Sequence, residues 1–218
     1  GVLVEGREVV MTAIPMYHIY ALMVNTLYAL KRGWHNVLIT NPRDMASFVK
    51  TWAATRPSLF TGVNTLYNGL LHTPGFRDLD FSGFKVAFGG GAAIQQAVSE
   101  RWREVTGNYI KEGYGLSETS PVLTFNPIEE KTYRPGIGLP LPSTHLSLRD
   151  DAGKEVAPGQ PGEICVTGPQ VMRGYWRQPE ATAAAMTTDG YFRTGDIGVM
   201  DADGYFRIVD RKKDMILV

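Results

Sequence analysis

Along the first half of the chain, short apolar runs alternate with longer stretches whose apolar residues recur at helical spacing. Val9–Ile14, Ser58–Val63, Lys85–Phe88 and Tyr109–Glu112 have the length and boundaries of buried strands. Between them, Met45, Phe48, Val49, Trp52 and Ala53 share one helical face. Asn41-Pro42 supplies an N-cap with proline at the first helical position, and Asp44 falls in the first turn. Arg56-Pro57 ends that helix, because the residue before proline resists helical geometry. Asn64–His72 reads as a short helix. Ile94, Ala97, Val98, Trp102 and Val105 mark another, closed by Gly107. This alternation predicts an α/β fold, a mostly parallel sheet flanked by helices.

After about Asn126 the texture changes. Thr144–Arg149, Glu163–Thr167, Tyr191–Met200 and Tyr205–Val209 read as strands, punctuated by Asp151-Ala152-Gly153, Asp189-Gly190 and Asp203-Gly204 turns. Only Pro179–Met186 has a helical pattern. The second part is therefore expected to be a small antiparallel β-barrel. The expected organisation is 1–125 as the sheet subdomain, 126–212 as the barrel and 213–218 as a hinge.

Val9–Leu30 lacks Asp, Glu, Lys and Arg and is long enough for a membrane span. Pro15, His18 and Asn25 interrupt it, which favours a buried strand followed by a buried helix over Ala21–Leu30. The 218 residues carry 22 basic and 22 acidic side chains, so no overall field gathers nucleic acid or an anionic membrane. A single cysteine, Cys165, excludes an internal disulfide and a cysteine-cluster zinc site. The first residue is Gly1 and the last run, Met215–Val218, is apolar, so a piece of a longer chain is expected.

Candidate chemistry gathers at glycine-bearing strand ends. Gly89-Gly90-Gly91-Ala92 follows one strand, and Gly113-Tyr114-Gly115-Leu116-Ser117-Glu118-Thr119 follows the next. In parallel sheets ligands bind beyond the carboxyl ends of the strands, so both loops are expected to open on one crevice. Ser117 offers a hydroxyl to phosphate, and Glu118 a carboxylate to Mg²⁺, which takes few carboxylates plus substrate phosphates. His18, just past the first strand, is placed at the same edge. Asp196 has the chemistry to accept from two ribose hydroxyls, or to cap a turn. Gly115-Leu116-Ser117-Glu118-Thr119 also nearly matches the nucleophile elbow of α/β-hydrolases, with His145 as the one histidine after the serine.

Taken together, the sequence resembles the acyl-adenylate-forming superfamily of acyl-CoA synthetases, adenylation domains and luciferases. Five motifs occur in that family's order: Pro15-Met16-Tyr17-His18, Gly89-Gly90-Gly91-Ala92, Tyr114-Gly115-Leu116-Ser117-Glu118-Thr119, Gly162-Glu163-Ile164 through Gly174-Tyr175-Trp176 and Pro179-Glu180, and Tyr191-Phe192-Arg193-Thr194-Gly195-Asp196 with Asp210-Arg211-Lys212-Lys213-Asp214. Within it, Ile39–Asp44, Thr61–Leu66 and Val209–Val218 look most like bacterial long-chain fatty-acid–CoA ligases of the FadD type. The resemblance implies that a carboxylate and ATP give acyl-AMP and pyrophosphate, and that coenzyme A then displaces AMP. It also implies that Gly90, Gly91 and Ala92 line the adenine pocket, that Tyr114 stacks on adenine with Glu112 and Gly113 beside it, and that Gly115 and Leu116 belong to the nucleotide site. The resemblance further implies that Ser117 contacts phosphate, Glu118 holds Mg²⁺, Asp196 and Arg211 hold the ribose, His18 lies near the reacting carboxylate and Lys213 sits at a hinge. Val63–Asn68 and Gly89 are expected walls of an acyl tunnel.

The family's phosphate loop and C-terminal lysine domain are not in this sequence, so the chain alone is expected not to complete the reaction. Fatty acid, ATP and CoA are the implied partners, in the cytoplasm, with peripheral association at the inner membrane. An aryl or amino acid ligase and a non-catalytic nucleotide-binding module are the alternatives.

Overall fold

The computed structural model describes residues 2–211, so Lys213 and the expected hinge lie outside the described residues. The chain forms two compact units, Gly1–Gly113 with Asn126–Arg134, and Tyr114–Phe125 with the residues from Pro135 onward. The change of unit thus comes at Tyr114, before the change of texture at Asn126, and residues 126–134 return to the first unit.

In the first unit, strands β1 (Val9–Thr12), β2 (His35–Leu38), β3 (Leu59–Gly62), β4 (Val86–Gly89) and the start of β5 (Ile110–Gly115) pair in the order β2-β1-β3-β4-β5. All four pairings are parallel. Every residue of β3 and β4 is buried. That explains their continuous apolar reading, since parallel strands are covered on both faces.

Helices α2 (Met45–Thr55), α3 (Asn64–His72) and α4 (Gln96–Thr106) fall where the periodicity predicts them. Two details differ. The α2 cap is Asp44, whose carboxylate accepts from the Ser47 amide at 3.1 Å, and Asn41-Pro42 forms the turn before it. Asp44 wins because its carboxylate reaches the orphan amide three residues on. Ala53 and Ala97 are exposed, so the buried stripes are narrower than expected. Arg56 closes α2 in the left-handed region (φ 45°), and Gly107 closes α4 likewise (φ 83°).

The Ala21–Leu30 stretch is a π-helical segment (Ala21–Leu27) running into the single turn α1 (Tyr28–Lys31). It is not buried throughout as expected: Ala21, Asn25 and Ala29 face inward, while Leu27, Tyr28 and Leu30 are exposed. A helix lying on a sheet covers only one of its own faces. Asn25 is fully buried and satisfied by Thr12, Thr61 and Asn36. No helix among the described residues is long and apolar enough to cross a membrane.

The first unit's core is aromatic. Trp52 meets Phe48, Phe60, Phe76, Phe81, Phe84 and Trp102 at centroid distances of 5.3–6.4 Å, mostly edge to face.

In the second unit, β6 (Val122–Phe125) pairs antiparallel with β7 (Leu139–Pro140), two short strands the sequence pattern does not mark. Strands β8 (His145–Arg149), β9 (Gly162–Thr167), β10 (Phe192–Met200) and β11 (Phe206–Arg211) form an antiparallel sheet ordered β11-β10-β9-β8. This is the antiparallel part expected after the parallel sheet, and Gly138, just before β7, bridges to Phe206 of β11. Among the described residues, α5 (Pro179–Ala185) is the one α-helix after Asn126, as its pattern predicts.

Replacing Trp52 by Ala empties the centre of the ring cluster. The expected loss is about 3–5 kcal/mol, read from the urea unfolding midpoint, with Trp52→Phe losing clearly less.

Candidate functional site

In the first unit the predicted groups converge on the carboxyl ends of β4 and β5. Register places Gly62, Gly89 and Glu112 in one row across β3, β4 and β5. Beyond Gly89 the chain turns through Gly90 and Gly91, the latter at φ 78°. A Cβ on Gly90 would sit 3.3 Å from the Tyr20 ring and 3.6 Å from the Gly113 carbonyl. One on Gly89 would meet Ile94 at 2.6 Å, so a side chain there would strike the core rather than line a tunnel. Gly91 and Ala92 are exposed.

The loop is held from both sides. Ile94 donates its amide to Glu112 Oε2 at 2.9 Å, and Gln95 donates its amide to Asn64 Oδ1 at 2.9 Å. Tyr20 and Tyr67 both donate their phenols to the Phe88 carbonyl, at 3.0 and 2.7 Å, just before the glycines. Sequence reasoning missed Tyr20 and placed Asn64 only in the expected tunnel wall; the parallel register brings both to this edge. His18 is exposed in the turn after β1, and its Nδ1 accepts from the Tyr20 amide at 3.2 Å.

Glu112 is 7% exposed, and burial pushes its carboxyl up to about 7, opposed only in part by the Ile94 amide.

The second unit builds a separate cluster around Asp196, which is 6% exposed. The register of β10 on β9 jumps from Arg193↔Cys165 to Ile197↔Glu163, so three residues stand opposite one. Gly195 takes φ 74° within this bulge. Thr194 locks it by donating to the Ile164 carbonyl at 2.8 Å while accepting from the Asp196 amide at 3.2 Å. Asp196 therefore projects from an interrupted strand and does not cap a turn.

Tyr114 donates its phenol to Asp196 Oδ2 at 2.5 Å, and Arg211 Nε lies 3.1 Å from Oδ1. Burial first, then the hydrogen bond to Asp196, holds the Tyr114 phenol well above its usual range, so it stays a neutral donor. A carboxylate has about four lone-pair sites. Tyr114 and Arg211 occupy two of them, which leaves one on each oxygen for a pair of neighbouring hydroxyls.

Ser117, Glu118 and Thr119 form one 3₁₀ turn after β5. Thr119 ties it down, accepting from the Leu116 amide at 3.0 Å and donating to the Pro121 carbonyl at 2.5 Å. A Cβ on Gly115 would lie 1.7 Å from the Pro121 oxygen. This glycine is required by its own chain returning past it. Ser117 is exposed. It makes no side-chain hydrogen bond to His145 or to any other described residue, which removes the geometry a hydrolase needs.

Glu118 Oε1 accepts the Tyr175 phenol at 2.9 Å, a contact sequence reasoning did not anticipate. Among the described residues Oε2 has no partner, and no group of three His, Cys, Asp or Glu could close a protein cage around a metal. One free carboxylate oxygen fits Mg²⁺ bound chiefly through phosphates and water.

A family model described as AMP-binding enzyme matches residues 2–176. The chain is 53% identical over 213 residues to a long-chain-fatty-acid–CoA ligase of Escherichia coli O157:H7, covering 98% of this chain and 38% of that protein. It is 35% identical over 222 residues to feruloyl-CoA synthase of an Amycolatopsis species, covering 100% and 45%. The solved structure of the ATP-bound RpMatB-BxBclM chimera B3 superposes with a TM-score of 0.87 at 33% identity, over 97% of this chain and 42% of that one. The chain thus spans less than half the length of each of these relatives.

The raised Glu112 carboxyl has a consequence for stability. Between the ordinary 4.5 and about 7 the folded protein keeps a proton that the unfolded chain has lost. Stability from this group is therefore present at low pH and lost as pH rises through that window. Glu112→Gln, which keeps the acceptor for Ile94, is expected to flatten this part of the profile, measured as unfolding free energy against pH.

Proposed function

Since the chain belongs to the AMP-binding enzyme family, we propose that the protein carrying it is an AMP-forming long-chain fatty-acid–CoA ligase. The observation that carries this reading is the buried Asp196 carboxylate, held by Tyr114 and Arg211 with acceptor sites to spare. In the first half-reaction the fatty acid carboxylate attacks the α-phosphorus of ATP and expels pyrophosphate. In the second, the thiol of coenzyme A attacks the acyl carbonyl and expels AMP.

Each residue's role follows from its chemistry. Asp196 accepts the vicinal ribose hydroxyls, and Arg211 holds its Oδ1 in place. Tyr114 aligns Asp196 through its phenol and offers its ring to the adenine. Gly90, Gly91 and Ala92, with Glu112 and Gly113, leave room for the base, since any side chain on Gly90 would crowd Tyr20. Leu116 and Gly115 shape the turn from which the Ser117 hydroxyl donates to a phosphate oxygen. His18 is assigned to the approach of the fatty acid carboxylate, and Lys213 to the hinge between half-reactions. Mg²⁺ held at Glu118 would neutralise the charge that develops on the phosphates.

Identity favours a fatty acid over an aryl substrate, at 53% against 35%. An apolar substrate that partitions into membranes fits a cytoplasmic enzyme working peripherally at the inner membrane surface.

The full-length protein is expected to release AMP and pyrophosphate with palmitate, ATP, Mg²⁺ and CoA, at a kcat/KM at least about tenfold above that with ferulate. Comparable or better turnover of ferulate would transfer the assignment to an aryl-acid ligase. Asp196→Ala is expected to weaken AMP binding by roughly 10- to 100-fold, the worth of hydrogen bonds to a charged acceptor, measured by calorimetry.

A further inference from the structure

We propose that Tyr175 positions Glu118 for its cation: the phenol fixes one carboxylate oxygen so that the other is presented to the metal–nucleotide complex. The inference rests on the assignment of Glu118 as the Mg²⁺ ligand, and adds a second residue to that site.

The loop bearing Tyr175 grips the Glu118 turn twice. Met172 donates its amide to the Glu118 carbonyl at 2.7 Å, and Tyr175 donates its phenol to Glu118 Oε1 at 2.9 Å. One contact fixes where the residue's backbone stands. The other selects among the orientations its side chain would otherwise sample. Tyr175 is in turn anchored from behind. Its amide donates to Thr182 Oγ1 at 2.9 Å, and Thr182 donates to the Gln178 carbonyl at 2.8 Å at the start of α5. Gly174 makes this approach possible, since a Cβ there would lie 2.7 Å from Thr182 Cγ2. Farther back, Gln170 donates to the Val122 carbonyl at 3.2 Å and to Thr144 Oγ1 at 2.8 Å, which ties the loop's beginning to the same unit.

A hydrogen bond between a lone surface tyrosine and a mobile glutamate would have little to hold it. Here both partners have fixed backbones, so forming the bond costs little further ordering. The donor takes one oxygen and leaves the other open. A carboxylate that meets the cation through one oxygen needs its orientation set, because Mg²⁺ demands near-octahedral geometry and short distances. Outer partners that orient a ligating carboxylate commonly contribute to metal affinity.

The test uses the full-length protein and calorimetric ATP binding without fatty acid, once in EDTA and once in saturating Mg²⁺. The ratio of the two dissociation constants measures the metal's contribution. Tyr175→Phe is expected to leave the EDTA value at the wild-type level, which also shows that the variant is folded. Its Mg²⁺ enhancement is expected to fall by about tenfold, as for the loss of one hydrogen bond to a charged group. Electron paramagnetic resonance of Mn²⁺ in place of Mg²⁺ is expected to show a broadened, less ordered bound spectrum. Glu118→Gln is expected to remove the enhancement. If Tyr175→Phe keeps the wild-type ratio while Glu118→Gln loses it, the metal assignment stands and the role of Tyr175 is refuted. If Glu118→Gln also keeps the ratio, the metal assignment fails and this inference with it.

Discussion

The second unit depends on one buried carboxylate. Asp196 is taken out of water by the sheet around it, which is costly for a charge unless it is paired and hydrogen-bonded. Tyr114 and Arg211 supply the pairing from opposite ends of the unit's sequence, one just after β5 begins to leave the first unit and one at the end of β11. The bulge at Thr194–Gly195 turns Asp196 toward them. Arg211 stands directly opposite Asp196 on the β10–β11 ladder, while the bulge takes Asp196 out of pairing with β9. The strand's irregularity is thus part of the site's construction.

The first unit meets a different demand. Its glycine loop must leave space open, so nothing inside the loop can hold it rigid. Rigidity comes from beneath, through the Glu112 and Asn64 side chains and the two phenols on the Phe88 carbonyl. Those groups are steady because the ring cluster around Trp52 and Trp102 packs α2, α3 and α4 firmly on the sheet. Glu112 accepts a raised carboxyl pKa in exchange for holding Ile94, a modest destabilisation placed at a functional loop.

Much of this was legible in the residues. Short apolar runs alternating with helical stripes give the parallel sheet, because buried strands and amphipathic helices differ in period. Gly107 and Arg56-Pro57 mark helix ends through backbone sterics alone. The motifs also named Tyr114, Asp196 and Arg211 together. What was hidden depends on distance along the chain. The pairs β6 and β7 are too short to show a pattern. Tyr20, Asn64 and Tyr175 act through partners 31 to 68 residues away, which no local spacing reveals. Gly115 was read as an opening toward a ligand, yet its lack of a side chain serves the passage of Pro121. The cap of α2 moved to Asp44 because side-chain reach, rather than the Asn-Pro signature, decided it.

If Asp196 receives the sugar, affinity must depend on the two ribose hydroxyls and on nothing else that this carboxylate touches. Calorimetry comparing AMP with 2′,3′-dideoxy-AMP on the full-length protein tests this directly. Wild type is expected to bind the dideoxy nucleotide roughly tenfold or more weakly, and Asp196→Ala to bind the two nucleotides equally. Equal affinities in the wild type would contradict the assignment and leave Asp196 a structural partner of Tyr114 and Arg211.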